Sequence, residues 1–149
     1  MFTLATLDTE SHQEEGAWLH LCYPGTQTLA YTDEEKTKPA RIKMKGMLSI
    51  SGKETIARAR NKAMKVAIEQ GKSSKPEFKE ETLATYEEKK VEDAKELAEL
   101  AIGWENILDE DGKEVKFTKE AFLNAVSNAH DLRRQCREFI QDQTAFSPA

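Results

Sequence analysis

A chain of 149 residues, 38% hydrophobic and 33% charged, is long enough for one core and too mixed in charge for a disordered chain. No run of about 18 apolar residues occurs, and the N-terminus has neither the basic start nor the apolar stretch of a secretory signal, so a membrane span and export are both unsupported. The net charge of −5 hides an asymmetry: ten basic residues between Lys36 and Lys65 meet the single acid Glu54, a local +9 that leaves −14 on the rest and favours contact with an acidic partner or with another copy.

The first fifty residues read as strands. FTLATL (2–7), AWLHLC (17–22), TLAY (28–31) and RIKMKG (41–46) are short, and the last alternates Ile42 and Met44 with Arg41, Lys43 and Lys45, as a strand with one packed and one charged face does. Tyr23-Pro24-Gly25-Thr26 suits a type II turn, because proline presets φ and glycine accepts φ > 0. These signals predict an antiparallel hairpin.

The period then changes. Ser51 and Glu54 have capping-box spacing, which predicts a helix over about 52–70 with Gly71 as its stop. Ile56, Ala59, Ala63, Val66 and Ala67 share one face, Arg58, Lys62 and Lys65 lie opposite, and Arg60 falls within the apolar side. Residues 72–81, with Pro76 and no apolar period, read as a flexible linker. A second helix follows from Thr82 to Ile102, with Leu83, Tyr86, Ala94, Leu97, Ala98 and Ala101 aligned, Glu87 and Lys90 interrupting the stripe, and Gly103 as the C′ residue. Thr118 is the expected N-cap of a final helical region, broken near Ser127-Asn128. Its second segment turns Leu132, Cys136, Phe139 and Ile140 inward and Arg133, Arg134 and Arg137 largely outward; the tail QTAFSPA reads as frayed. Cys22 and Cys136 lack C-x-x-C spacing and are expected to be two buried thiols.

The acidic stretch Asp109-Glu110-Asp111-Gly112 invites a calcium reading, which the ligand positions oppose. With Gly112 at position 6 of a cation loop, Ile107 falls at position 1 and Thr118 at position 12, so both key ligands are missing. A hairpin turn accounts for the same residues, since Asp111-Gly112 tolerates positive φ between the apolar segments 107–108 and 115–117. Trp104 and Phe117 then clamp the hairpin on the helices, with an exposed docking patch as the lesser reading of Trp104. The three histidines stand in no nucleophile motif, and no Walker loop, G-x-G-x-x-G or H-E-x-x-H occurs, so no cofactor or catalytic set is expected. The basic block lacks interleaved aromatic residues, which makes nucleic acid a weaker expectation than protein.

The order of a β-rich start, a strand ending in glycine (42–46), a basic helix, a helix closing in Gly103-Trp104, the turn 109–112 and Phe117-Thr118 resembles the tail assembly chaperones of long, non-contractile-tailed bacteriophages. The resemblance implies a non-enzymatic role in the host cytoplasm: binding the tape-measure protein, recruiting tail-tube subunits, and absence from the mature virion. The expected fold is α+β in a single domain, a small N-terminal antiparallel sheet followed by a mainly helical part with a short β-hairpin. From the residues themselves, Arg58, Lys62 and Lys65 on the basic face, Tyr86 on the interrupted helix and Trp104 are the candidate partner contacts, and self-association of basic against acidic segments is a further expectation. The alternatives are a tail-completion or head–tail joining protein and, behind it, a nucleic-acid-binding regulator.

Overall fold

Alternation in Arg41–Met44 settles the middle of a sheet: Ile42 and Met44 are buried, whereas Arg41 and Lys43 are half-buried on the other face. The computed structural model describes residues 3, 4, 8–71 and 83–146. In chain order the elements are α1 (Thr9–Glu15), β1 (Ala17–His20), β2 (Arg41–Met44), α2 (Ile50–Gly71), α3 (Leu83–Leu100), β3 (Ala101–Glu105), α4 (Lys119–Asn128), α5 (His130–Gln141) and a 3₁₀ turn at Gln143–Phe146. The fold is α+β, with a three-stranded antiparallel sheet ordered β1-β2-β3. Register places Leu19 and Trp104 beside Ile42, and Trp18 beside Lys43 on the opposite face. There the Trp18 ring packs under the Arg41 guanidinium, 4.2 Å from its centroid.

The helices cover the inner face of the sheet. Ile42 and Met44 join Leu97 and Leu100 of α3, Phe122 and Val126 of α4, and Cys136 and Ile140 of α5 in one core. Removing this apolar surface from water is the main source of stability, roughly 1.5–3 kcal/mol for each large side chain. Thr118 caps α4 as expected, its hydroxyl accepting from the Ala121 amide, and the chain breaks at Ala129 before α5 begins.

Several expectations are corrected. The strand-only start contains a helix, α1, whose Gln13 is buried with Oε1 accepting from the Leu48 amide at 2.7 Å. TLAY forms single bridges, Cys22 with Leu29 and Tyr31 with Pro39, and no strand; the type II turn before it holds, with Gly25 at φ +72° and the Thr26 amide donating to the Tyr23 carbonyl. The strand expected at 2–7 falls mostly outside the described residues, and Leu4 within it is exposed and in no strand. The linker at 72–81 also lies outside them.

The cap of α2 is Ser49 rather than Ser51: its hydroxyl accepts from the Gly52 amide, while Ser51 is already helical. A side chain at Gly52 would meet the Met47 carbonyl oxygen at 2.3 Å, so the first turn packs too closely for the glutamate of a capping box to stand there. The second helix stops at Leu100, because Ala101–Glu105 pair with β2; Gly103 is a strand residue opposite Lys43 and not a helix stop. At 109–112 only Gly112 takes positive φ, at +79°, so the reversal, a single bridge of Leu108 with Glu114 and not a pair of strands, closes through a turn from Asp109 whose last residue, Gly112, is itself the left-handed one, and Asp111 stays in ordinary space. Arg133 is buried and Arg137 half-buried, against the outward placement the period suggests. Cys136 is fully buried but Cys22 only partly, and Phe146 in the supposedly frayed tail is buried against Phe139.

Candidate partner-binding surface

The root of α2 is fixed from three directions. Ser49 caps it, the Glu14 carboxylate of α1 accepts from the Ile50 amide at 2.7 Å, and Lys53 pairs with Glu10 at 3.0 Å. The Ile50 amide is the main reason the Glu14 carboxyl is held below its ordinary value. One turn further on, the Thr55 hydroxyl donates to Glu99 of α3 at 2.9 Å, and Arg58 grips the same carboxylate through both terminal nitrogens. Lys62 then reaches Glu92. Beyond that point α2 projects, and residues 57–69 are exposed.

Between α2 and α3 lies a groove of about 610 Å³, with Ala59, Ala63 and Val66 on one wall and Glu92 and Glu96 on the other. A second hollow of about 670 Å³ includes Lys119. The Lys119 ammonium is not free to take a ligand there: it donates to the carbonyls of Ala98 and Ala101 at 2.6 Å, closing the C-terminal end of α3. Burial lowers its pKa.

The five sequence-predicted contacts separate into three groups. Arg58 and Lys62 line the groove but are engaged with α3; Lys65 has no ion-pair partner among the described residues, and Tyr86 is 47% exposed on α3. Trp104 is elsewhere. Its indole N–H donates to the Val115 carbonyl at 2.7 Å, and its ring meets Phe117 edge-on with centroids 5.4 Å apart, beside the core. That placement is the clamp on the hairpin.

The acidic turn is likewise organised from within. Asp109 Oδ1 accepts from the amides of Asp111 and Lys113, both at 2.9 Å, an arrangement that completes a turn. Sequence reasoning missed Met64 and Ile68 of α2, which stand 63% and 62% exposed. Their signal was the seven-residue spacing of Ile50, Ala57 and Met64, hidden because the helix carries a second, more obvious apolar face.

The basic block proves to be partly answered inside the molecule. Arg41, Lys45, Lys53, Arg58 and Lys62 pair with Glu105, Glu14, Glu10, Glu99 and Glu92, so five of the ten cations have no ion-pair partner among the described residues, and one of these, Lys43, lies over the Trp18 ring. This weakens the case for a phosphate backbone, whose recognition depends on many unengaged cations. No family model matches the chain, and neither the curated proteins nor the solved structures contain a significant match to it.

Proposed function

We propose that this chain is a tail assembly chaperone of a long-tailed phage, a non-enzymatic protein that holds the tape-measure protein and recruits tail-tube subunits while the tail forms. The supporting observation is α2: a helix anchored at its root and exposed over 57–69, presenting apolar side chains and cations to water. Large apolar groups at that exposure raise the risk of aggregation unless a partner covers them. A long helical client, whose own apolar stripe needs cover before assembly, is the complementary surface. The resemblance carried by Gly103-Trp104, the turn at 109–112 and Phe117-Thr118 supports the same reading.

Co-expression with the tape-measure protein is the direct test. The expected outcome is that the client stays soluble and co-purifies; a client that precipitates and does not co-purify removes the reading. Mass spectrometry of purified particles separates the structural alternative, since stoichiometric retention in the virion is expected of a joining or completion protein and not of a chaperone.

A further inference from the structure

The side of α2 turned away from the molecule carries its own apolar stripe. Ile50, Ala57, Met64 and Ile68 are all exposed, at 65%, 63% and 62% for Ile50, Met64 and Ile68. At about 100° per residue they cluster some 130° around the helix from Thr55, Arg58 and Lys62, which face α3. The internal packing of α2 therefore leaves them uncovered. The stripe runs over roughly 27 Å at about 1.5 Å per residue, and its first three members are seven residues apart, the interval at which one helix meets another along a seam.

Two unengaged cations and one acid border it. Arg60 and Lys65 lie about 65–75° to either side of the stripe, and neither has an ion-pair partner among the described residues, in contrast to Arg58 and Lys62. Glu54, exposed and about 55° from the stripe on the Lys65 side, is the one acid there, so cations still outnumber acids at the flanks and set the charge of whatever covers the seam. A second copy of α2 would set Arg60 against a like charge in either orientation, the other copy's Lys65 in parallel and its Arg60 in antiparallel, and like charges at such flanking positions destabilise a helix pair. An acid-flanked helix would pair on both sides.

We infer that the outward stripe of α2 is a docking seam for an amphipathic helix of the partner, with apolar residues at three- and four-residue intervals and Asp or Glu on both flanks. The inference rests on the chaperone reading for the identity of the helix's owner, while the seam itself rests on exposure, spacing and charge. The groove toward α3, with Arg58 and Lys62 already engaged, is then internal architecture.

The test uses the full chain and a labelled peptide of about three heptads with Leu at a and d and Glu at e and g, beside the same peptide with Lys at e and g. Fluorescence anisotropy at about 50 mM salt should give binding of the Glu peptide at least roughly tenfold tighter than of the Lys peptide. M64D/I68D should lose about tenfold or more, and R60E/K65E should reverse the preference between peptides; both variants alter exposed residues, and circular dichroism checks that they fold. Equal affinity for the two peptides, no binding of the Glu peptide, or binding unchanged in M64D/I68D would overturn the seam. So would a dimer in sedimentation velocity that M64D/I68D dissolves, because it assigns the stripe to a second copy. Co-expression separates the two readings: M64D/I68D that still keeps the tape-measure protein soluble removes the seam and leaves the chaperone. A wild-type chain that binds the Glu peptide but not the tape-measure protein does the reverse.

Discussion

Arg133 is buried, and its Nη1 donates to the carbonyls of Val126 at 2.7 Å and Ser127 at 3.0 Å. Those carbonyls belong to the last turn of α4, where no amide of the same helix can reach them. A cation placed there satisfies both oxygens and complements the helix dipole. Lys119 performs the same service for α3. The helical period of α5 suggested solvent for Arg133 because period reports only the helix's own faces; the neighbouring helix end that needs a donor lies outside its scope. Arg133→Ala should lower unfolding stability by about 1–3 kcal/mol in urea titrations, the usual cost of stranding buried acceptors, and Arg133→Lys should recover part of it. Loss below about 0.5 kcal/mol would show that water replaces the guanidinium.

At the scale of elements, the attachment of α2 to α3 depends on protonation. Arg58 is the main cause that holds the Glu99 carboxyl below its ordinary 4.5, with Thr55 assisting and burial opposing. A depressed folded value means that this contribution is complete above the unfolded value and is lost as pH falls through the folded one. Glu96 has the opposite sign, since burial is the main cause that raises it, and its protonation relieves a cost before Glu99 titrates. Acidification below 4.5 should therefore loosen α2 from α3 while the core persists, read as faster amide exchange across residues 57–66 with unchanged protection in α4. In Glu99→Gln that acid step should disappear; a step of the same size in the variant would assign it to another group. Ser49 and Ser51 both precede a helix-forming run, and only the close approach of Gly52 to Met47 selects the earlier serine.

For the whole molecule, stability should be graded along one direction. The core joins β2, α3, α4 and α5, whereas residues 57–69 of α2 are exposed and tied to it by surface pairs. Exposed ion pairs typically contribute about 0–1 kcal/mol each, far less than a packed core. Native-state exchange should accordingly show amides of 60–68 opening at low free energy and those of Leu97, Leu100 and Phe122 only on global unfolding. Uniform protection across both sets would mean that something covers the arm, as self-association would. The same gradient fits a contact protein, because a surface that must accept a partner cannot also be buried in its own core.

Local sequence was enough for the α+β class, the turn at Tyr23–Thr26, the cap at Thr118, the break near Ala129 and the inward alternation of Ile42 and Met44. Each follows from chemistry within a few residues: period, caps and turn preferences. Long-range contacts are what take Ala101–Glu105 out of the helix to complete the sheet, bury Arg133, and pair Arg58 and Lys62 with α3 at the surface while Arg60 and Lys65 have no ion-pair partner among the described residues. These outcomes depend on β2, on a neighbouring helix end and on the acids of α3, partners distant along the chain, and a local pattern carries no record of which distant groups will meet it.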